Sequence, residues 1–338
     1  MLVDLRSDTF TQPTPGMLDA MRNAQTGDDV FVEDPSVNKL EAMVATLFGK
    51  DAALYCPTGT MSNQIGIKVH TQPGDEVICE QSAHVYQYEG GGIAFNAGCQ
   101  VKLLEGSYGR ITAKQVLSAI NPDDVHKSVT RLVCLENTAN RGGGSCYDFE
   151  EIQKIRKVCD EHDLLLHLDG ARLFNAMIAK RETPLQYGKE FHSISVCLNK
   201  GLGCPIGSLL IGNTEFIRKA RRVRKVFGGG MRQAGYMAAT GIYALENHVH
   251  RLKEDHNRAK HIAAELGKKE FCAKLLPVET NIIIFETAPS YSGNQIAELF
   301  RQKDILVIAM SPTQVRLVLH LDISSAMTDY VSDCISKM

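Results

Sequence analysis

The order of apolar segments in this 338-residue chain predicts an α/β protein: a large domain on a mostly parallel sheet, then a small C-terminal α/β domain. Two observations carry that reading. Short strand-like runs alternate with amphipathic helical segments up to about residue 240, and such alternation specifies a parallel sheet covered on both faces. Beyond that point three strand-like runs and two helical segments form a different pattern. The expected division is an extended arm over 1–13, a large domain over 14–240 and a small domain over 241–338.

The strand-like runs of the large domain are Ala52–Tyr55, Glu76–Cys79, Gln100–Leu104, Arg131–Leu135, Leu164–Leu168 and Ile194–Leu198. Helices are expected at Ser36–Lys50, with Ser36 as its cap and apolar residues at helical spacing, and at Thr60–His70, Thr112–Ile120 and Phe149–His162. One long amphipathic helix is expected over Ala234–Leu266. Strands at Asn281–Phe285, Leu306–Ala309 and Val315–Leu321 follow, with helices at Gly293–Gln302 and Ser324–Met338. No internal repeat or low-complexity tract occurs.

Composition narrows the function. Apolar residues make up 44% and charged residues 22%, with a net charge of −2, which argues against a nucleic-acid partner. The densest basic stretch, Arg218 to Lys225, reads as a solvated helix face or subunit contact, or as a source of residues for an anionic ligand. The ten cysteines are scattered within apolar runs, no CxxC or HExxH occurs, and no run approaches the roughly 20 apolar residues of a membrane span. A reducing cytoplasm is the expected compartment, with no membrane partner and no metal site.

Ligands in open parallel sheets collect beyond the carboxyl ends of the strands, so the residues there are informative. Glu136-Asn137 follows one run, Asp169 the next, and Lys200 the one after. A buried amine and a buried carboxylate on successive parallel strands are the groups that hold pyridoxal 5′-phosphate (PLP): the lysine as Schiff base, the aspartate on the pyridine nitrogen. Pro57-Thr58-Gly59-Thr60-Met61-Ser62-Asn63 opens a helix and is either an ordinary cap or an anion site suited to the phosphate. His84 is either a loop residue or, granted the cofactor, an imidazole stacked on its ring. Tyr86 and Tyr88 read as packing residues. Arg316, inside a strand-like run, either faces water at a sheet edge or binds a substrate carboxylate. Arg172 can form a salt bridge, and Lys225 and Arg232 flank a glycine loop from which they can reach a phosphate.

Long segments of the chain resemble the low-specificity threonine aldolase family, of the aspartate aminotransferase-like PLP fold type I. They include Asp4-Leu5-Arg6-Ser7-Asp8-Thr9, Gly27-Asp28-Asp29-Val30, His167-Leu168-Asp169-Gly170-Ala171-Arg172, Leu198-Asn199-Lys200-Gly201-Leu202 and Gly228-Gly229-Gly230-Met231-Arg232-Gln233. The resemblance implies a seven-stranded sheet, Lys200 as the Schiff-base lysine, Asp169 on the pyridine nitrogen and His84 on the ring. It implies Gly59 and Thr60 at the phosphate, and Ser7 and Arg316 on the substrate carboxylate. Arg172 would touch the cofactor's 3′-oxygen or that carboxylate. Lys225 and Arg232 would approach the phosphate from a neighbouring subunit, and His126 would lie near the substrate side chain. A homodimer or homotetramer follows. Phe31-Val32 and Ala139 depart from the family pattern of Tyr-Gly and histidine.

The implied reaction is retro-aldol cleavage of L-threonine or L-allo-threonine to glycine and an aldehyde, with His84, His126 or a water as the base. β-Elimination, racemisation and transamination are alternatives on the same cofactor, because a fold does not decide a reaction. A nucleotide-binding role is weak, since Gly201-Leu202-Gly203-Cys204-Pro205-Ile206-Gly207 does not fit a dinucleotide fingerprint.

Overall fold

The computed structural model describes residues 1–338. A short β1 (Val3–Asp4) opens the chain. The central sheet is built from β2 (Ala52–Cys56), β3 (Glu76–Glu80), β4 (Gln100–Leu104), β5 (Thr130–Glu136), β6 (Leu165–Gly170), β7 (Ser193–Cys197) and β8 (Ser208–Gly212). Their order is β2-β8-β7-β6-β5-β3-β4. Neighbours are parallel except at β8, which runs antiparallel to both β2 and β7. The sheet is mixed and largely parallel, as expected of this fold class. β8 is the strand that the apolar runs did not reveal. Its five residues are all buried but follow directly on a glycine-rich loop, which masks their start.

Helices cover both faces, and caps set their ends. The cap of Pro35–Phe48 lies two residues before the expected Ser36: Asp34 accepts the Val37 N–H, Pro35 occupies the first turn, and Gly49 ends the helix in the left-handed region. Thr58 caps Gly59–His70 by accepting the Met61 N–H. The long helix expected over Ala234–Leu266 is two, Gly235–Asn247 and Leu252–Leu266. His248 ends the first, donating from Nδ1 to the Leu202 carbonyl at 2.8 Å. Residue 240 lies inside that first helix.

A second layer holds β9 (Cys272–Leu275), β10 (Ile282–Thr287), β11 (Ile305–Leu306), β12 (Ile308–Ser311) and β13 (Gln314–Val318). An antiparallel sheet runs β12-β13-β10-β9, and β1 pairs in parallel with β11. β13 is therefore interior, and the edge-strand alternative for Arg316 does not hold. Val3 and Leu5 are fully buried in the apolar cluster under this sheet, so the first residues are fastened rather than loose. The basic stretch lies on the Thr214–Val226 helix and is not uniformly solvated. Arg218 pairs with Glu215 at the surface, whereas Arg221 reaches Glu41 at 2.7 Å and buried Arg224 pairs with Asp29 at 2.7 Å. All ten cysteines are unpaired, eight of them buried. No helix is long and apolar enough to cross a membrane.

Candidate active site

Parallel strands deliver Glu136 and Asp169 to the same end of the central sheet, where the two residues are register partners. Lys200 follows β7 in a tight return towards β8, closed by the Gly203 N–H on the Lys200 carbonyl at 2.8 Å. Two adjoining cavities open here. The smaller, about 160 Å³, is lined by Gly59, Thr60, Asp169 and Cys197. The larger, about 400 Å³, is lined by Ser7, Tyr88, Arg141, Arg172 and Arg316. His84 and Lys200 line both.

The smaller cavity fits PLP on three observations. Asp169 Oδ1 accepts the Ala171 N–H at 3.1 Å, but buried Oδ2 has no partner. A buried acceptor without a donor is costly, and a protonated pyridine nitrogen would supply one. The N-terminus of the Gly59–His70 helix supplies unpaired N–H groups suited to a phosphate. At Gly59 an added Cβ would meet Cys197 Sγ at 2.5 Å, so only glycine lets the backbone come this close. His84, Glu89 and Asp169 each bring a polar atom within 4.8 Å of the others. However, Glu89 already accepts three hydrogen bonds, one of them from His84 Nδ1, and Asp169 Oδ2 is the one buried acceptor of the group without a partner, which suits one N–H donor better than a metal ion.

The larger cavity is lined by cations. Arg172 is buried, and its Nε and Nη2 both donate to Asp8 at 2.7 Å. Burial works against the Asp8 charge, but Arg172, Lys200 and Asn281 outweigh it and hold the pKa at about 2. Arg316 donates to Asn140 Oδ1 at 3.0 Å and to the Arg6 carbonyl at 3.1 Å, while its buried Nε has no partner. Burial and neighbouring Arg172 lower its pKa to about 10, so it remains a cation at neutral pH. Ser7 caps a turn by accepting the Thr9 N–H and hydroxyl, with its oxygen at the cavity wall.

Behind His84 stand two acids. Glu136 accepts the His84 N–H at 2.8 Å and the Asn140 N–H at 2.9 Å. Burial and then the nearby Asp169 charge push its pKa up to about 7. Glu89 accepts the His84 ring at 3.0 Å.

The structure thus gathers Ser7, Gly59, Thr60, His84, Asp169, Arg172, Lys200 and Arg316 around one double cavity. It leaves three sequence candidates elsewhere. His126 is exposed beside Asp124, in the loop before β5 and so at the opposite end of that strand from Glu136. Lys225 borders a surface groove, and Arg232 pairs with Asp28 and lies over the Phe31 ring. Phe31 and Val32 are exposed, and Ala139 is buried. Tyr88 is more than packing, since it lines the larger cavity with Arg141 over its ring. Asp8, Glu89 and Arg141 were missed. Asp8 sat in a quoted motif without a role, and Glu89 precedes three glycines and reads as a surface turn.

Comparison with known proteins identifies the family. Residues 4–290 match the family described as beta-eliminating lyase. The chain is 42% identical to the low specificity L-threonine aldolase of Escherichia coli K12, over 96% of this chain and 95% of that protein. It is 39% identical to the probable low-specificity L-threonine aldolase 2 of Arabidopsis thaliana, over 99% and 97%. Among solved structures, a Leishmania major threonine aldolase superposes with a TM-score of 0.86 over 99% of both chains at 21% identity. A putative L-allo-threonine aldolase of Listeria monocytogenes gives 0.82, covering 99% of this chain and 96% of that one, also at 21% identity. These two show the shared fold. On sequence identity over nearly its full length, the chain belongs to the low-specificity L-threonine aldolase family, with the PLP fold type I.

Proposed function

We propose that the protein is a PLP-dependent aldehyde-lyase that cleaves L-threonine, L-allo-threonine and related β-hydroxy-α-amino acids to glycine and an aldehyde. The observation that carries this reading is the pair of cavities joined at His84 and Lys200, one fitted to the cofactor and the other lined with cations for an amino acid. Lys200 would hold the cofactor covalently through Nζ, Asp169 would hold its ring nitrogen, and Gly59 and Thr60 its phosphate. When bound, the ring supplies a sink for the electron pair released at Cα.

The remaining steps belong to the protein. Arg316 and Ser7 grip the α-carboxylate, which fixes the Cα–Cβ bond in one orientation. Arg172 stays locked on Asp8 and gives the wall its shape and charge. His84 accepts the β-hydroxyl proton as the Cα–Cβ bond breaks and the aldehyde leaves. Return of a proton to Cα gives glycine. Lys225, Arg232 and His126 lie outside the cavities of their own protomer, so their implied roles require a second copy of the chain. We assign them to a homodimer or homotetramer on that ground. The chain divides into an arm, a large domain and a small domain, with the boundary after the Gly235–Asn247 helix rather than at residue 240 and the small sheet contributing Arg316.

β-Elimination has one observation in its favour, the description of the matching family. The two reactions leave different products from L-allo-threonine: an aldehyde with glycine, or a keto acid with ammonia. A reductase-coupled assay for aldehyde, run beside a keto-acid assay, decides between them. Aldehyde and glycine in equal amounts are expected; keto acid without glycine would overturn the aldolase reading.

A further inference from the structure

Glu89 is a buried carboxylate that the reaction as derived leaves idle. It follows the short His84–Gln87 helix. A carboxylate is buried at a cost unless donors satisfy it. Three converge here: Asn63 Nδ2 at 2.9 Å and His84 Nδ1 at 3.0 Å on Oε1, and Gln64 Nε2 at 2.6 Å on Oε2. Asn63 and Gln64 belong to the helix whose N-terminus faces the smaller cavity, so Glu89 is tied to the cofactor wall itself.

Each hydrogen bond behind it has one permitted direction. Asn63 donates to Glu89, so its Oδ1 accepts from His167 Nε2 at 3.1 Å. His167 Nδ1 then accepts from the Ser193 hydroxyl at 2.7 Å, and Ser193 Oγ accepts from His70 Nε2 at 2.7 Å. Burial keeps both histidines neutral, lowering His167 to about 4 and His70 well below its ordinary value. One donor and one acceptor on each ring is what the chain requires. Every proton from His70 to Asn63 points towards Glu89. A carboxylate can only accept, so His84 must donate from Nδ1. Its Nε2 is then the nitrogen free to gain and lose a proton.

We propose that Glu89 is a positioning residue for His84: it fixes the imidazole's rotation and its Nδ1–H form, so that Nε2 exchanges the substrate proton where the two cavities meet. The inference rests on the reading of His84 as the base. The charged and titratable groups around the ring are Glu89, Asp169, Lys200 and Tyr88, with Glu136 on its backbone N–H. Burial alone would lower the imidazole pKa, but the Glu89 hydrogen bond and the Asp169 charge outweigh it and raise it. A proton taken from substrate is therefore held.

The test is a double-mutant cycle on the PLP-loaded enzyme, with wild type, Glu89→Gln, His84→Ala and the double variant. Its two readouts are aldehyde release from L-allo-threonine and the visible circular dichroism of the bound cofactor without substrate. An amide at position 89 removes the charge and one of the two acceptor oxygens, so one of its donors faces an NH2 group and Nδ1 is held more weakly. Glu89→Gln is expected to lower kcat about 10- to 100-fold, with KM within about threefold, and to weaken the dichroic band as His84→Ala does. In the His84→Ala background the same change is expected to alter kcat by less than about twofold. Losses that multiply in the double variant, or an unmoved band, would overturn the proposal. Full activity in His84→Ala would remove His84 as the base and leave the positioning claim to the dichroism alone. Should Glu89→Gln fail to fold, Glu89→Asp keeps the charge and withdraws its reach to the ring, with the same weakened band expected.

Discussion

Asp8 and Glu136 are both buried carboxylates near the double cavity, yet their surroundings drive them in opposite directions. Asp8 sits where the N-terminal segment crosses the site, held by the Arg172 guanidinium through two hydrogen bonds, and its pKa falls to about 2. Glu136 ends β5, receives only backbone N–H groups and faces Asp169, and its pKa rises to about 7. Depth does not distinguish them; the partner does. One wall thereby acquires fixed ion pairs and a spare cation, Arg316, suited to a carboxylate. The other gathers Asp169, Glu89 and Glu136 around His84 and is suited to holding protons and a cationic ring nitrogen. Walls of opposite charge pushed apart in this way are how one site divides binding from proton transfer.

The sharpest way to break the comparison is to remove the guanidinium's partner. Asp8→Asn leaves Arg172 buried without a counter-charge and is expected to lower unfolding stability by about 3–5 kcal/mol in urea titration. The wild-type contribution of Asp8 is complete above its unfolded value of 3.8 and is lost as pH falls through about 2. A stability unchanged by the substitution at pH 7 would show that the pair does not hold the wall together. Next in size is Arg316→Ala. It is expected to reduce kcat/KM for L-allo-threonine by about 2–4 kcal/mol of transition-state binding while leaving the visible cofactor band intact. Loss of the band as well would place Arg316 on the cofactor rather than the substrate.

Glu136→Gln probes the opposite wall. A carboxyl held above its ordinary value binds a proton when folded that the unfolded chain has released, so its contribution declines as pH rises from 4.5 through about 7. Relative to wild type, the variant is expected to be more stable at pH 8 than at pH 5, by about 1–3 kcal/mol. Equal differences at both values would mean that Glu136 is ionised throughout. His126→Ala is the smallest case. Its side chain is exposed, so unfolding should shift by less than about 0.5 kcal/mol. A fall in activity without that shift would fit a role supplied by another copy.

The proton-holding wall was the more legible in sequence, because its key groups end apolar runs. Asp169 and Lys200 announce themselves as polar residues where strand-like segments stop, and alternation fixes which end of the sheet they share. Nothing local marks Asp8 as the partner of Arg172, or Asp29 as the partner of Arg224. Those pairs join segments far apart in the chain, and each member alone resembles a surface charge. Glu89 was hidden for a related reason: its three donors come from two separate helices, Asn63 and Gln64 on one and His84 at the start of the other, and its own neighbours are turn residues. β8 escaped because the glycine-rich loop before it drew attention as a ligand loop rather than as the turn into an antiparallel strand.

Borohydride reduction of the PLP-loaded protein, followed by peptide mapping, tests most directly whether the strand-end amine and carboxylate serve one cofactor. A single pyridoxyl group on Lys200, absent from Lys200→Ala together with the visible band, is the expected result. A label on another lysine, or a reducible band that survives in Lys200→Ala, would contradict the assignment.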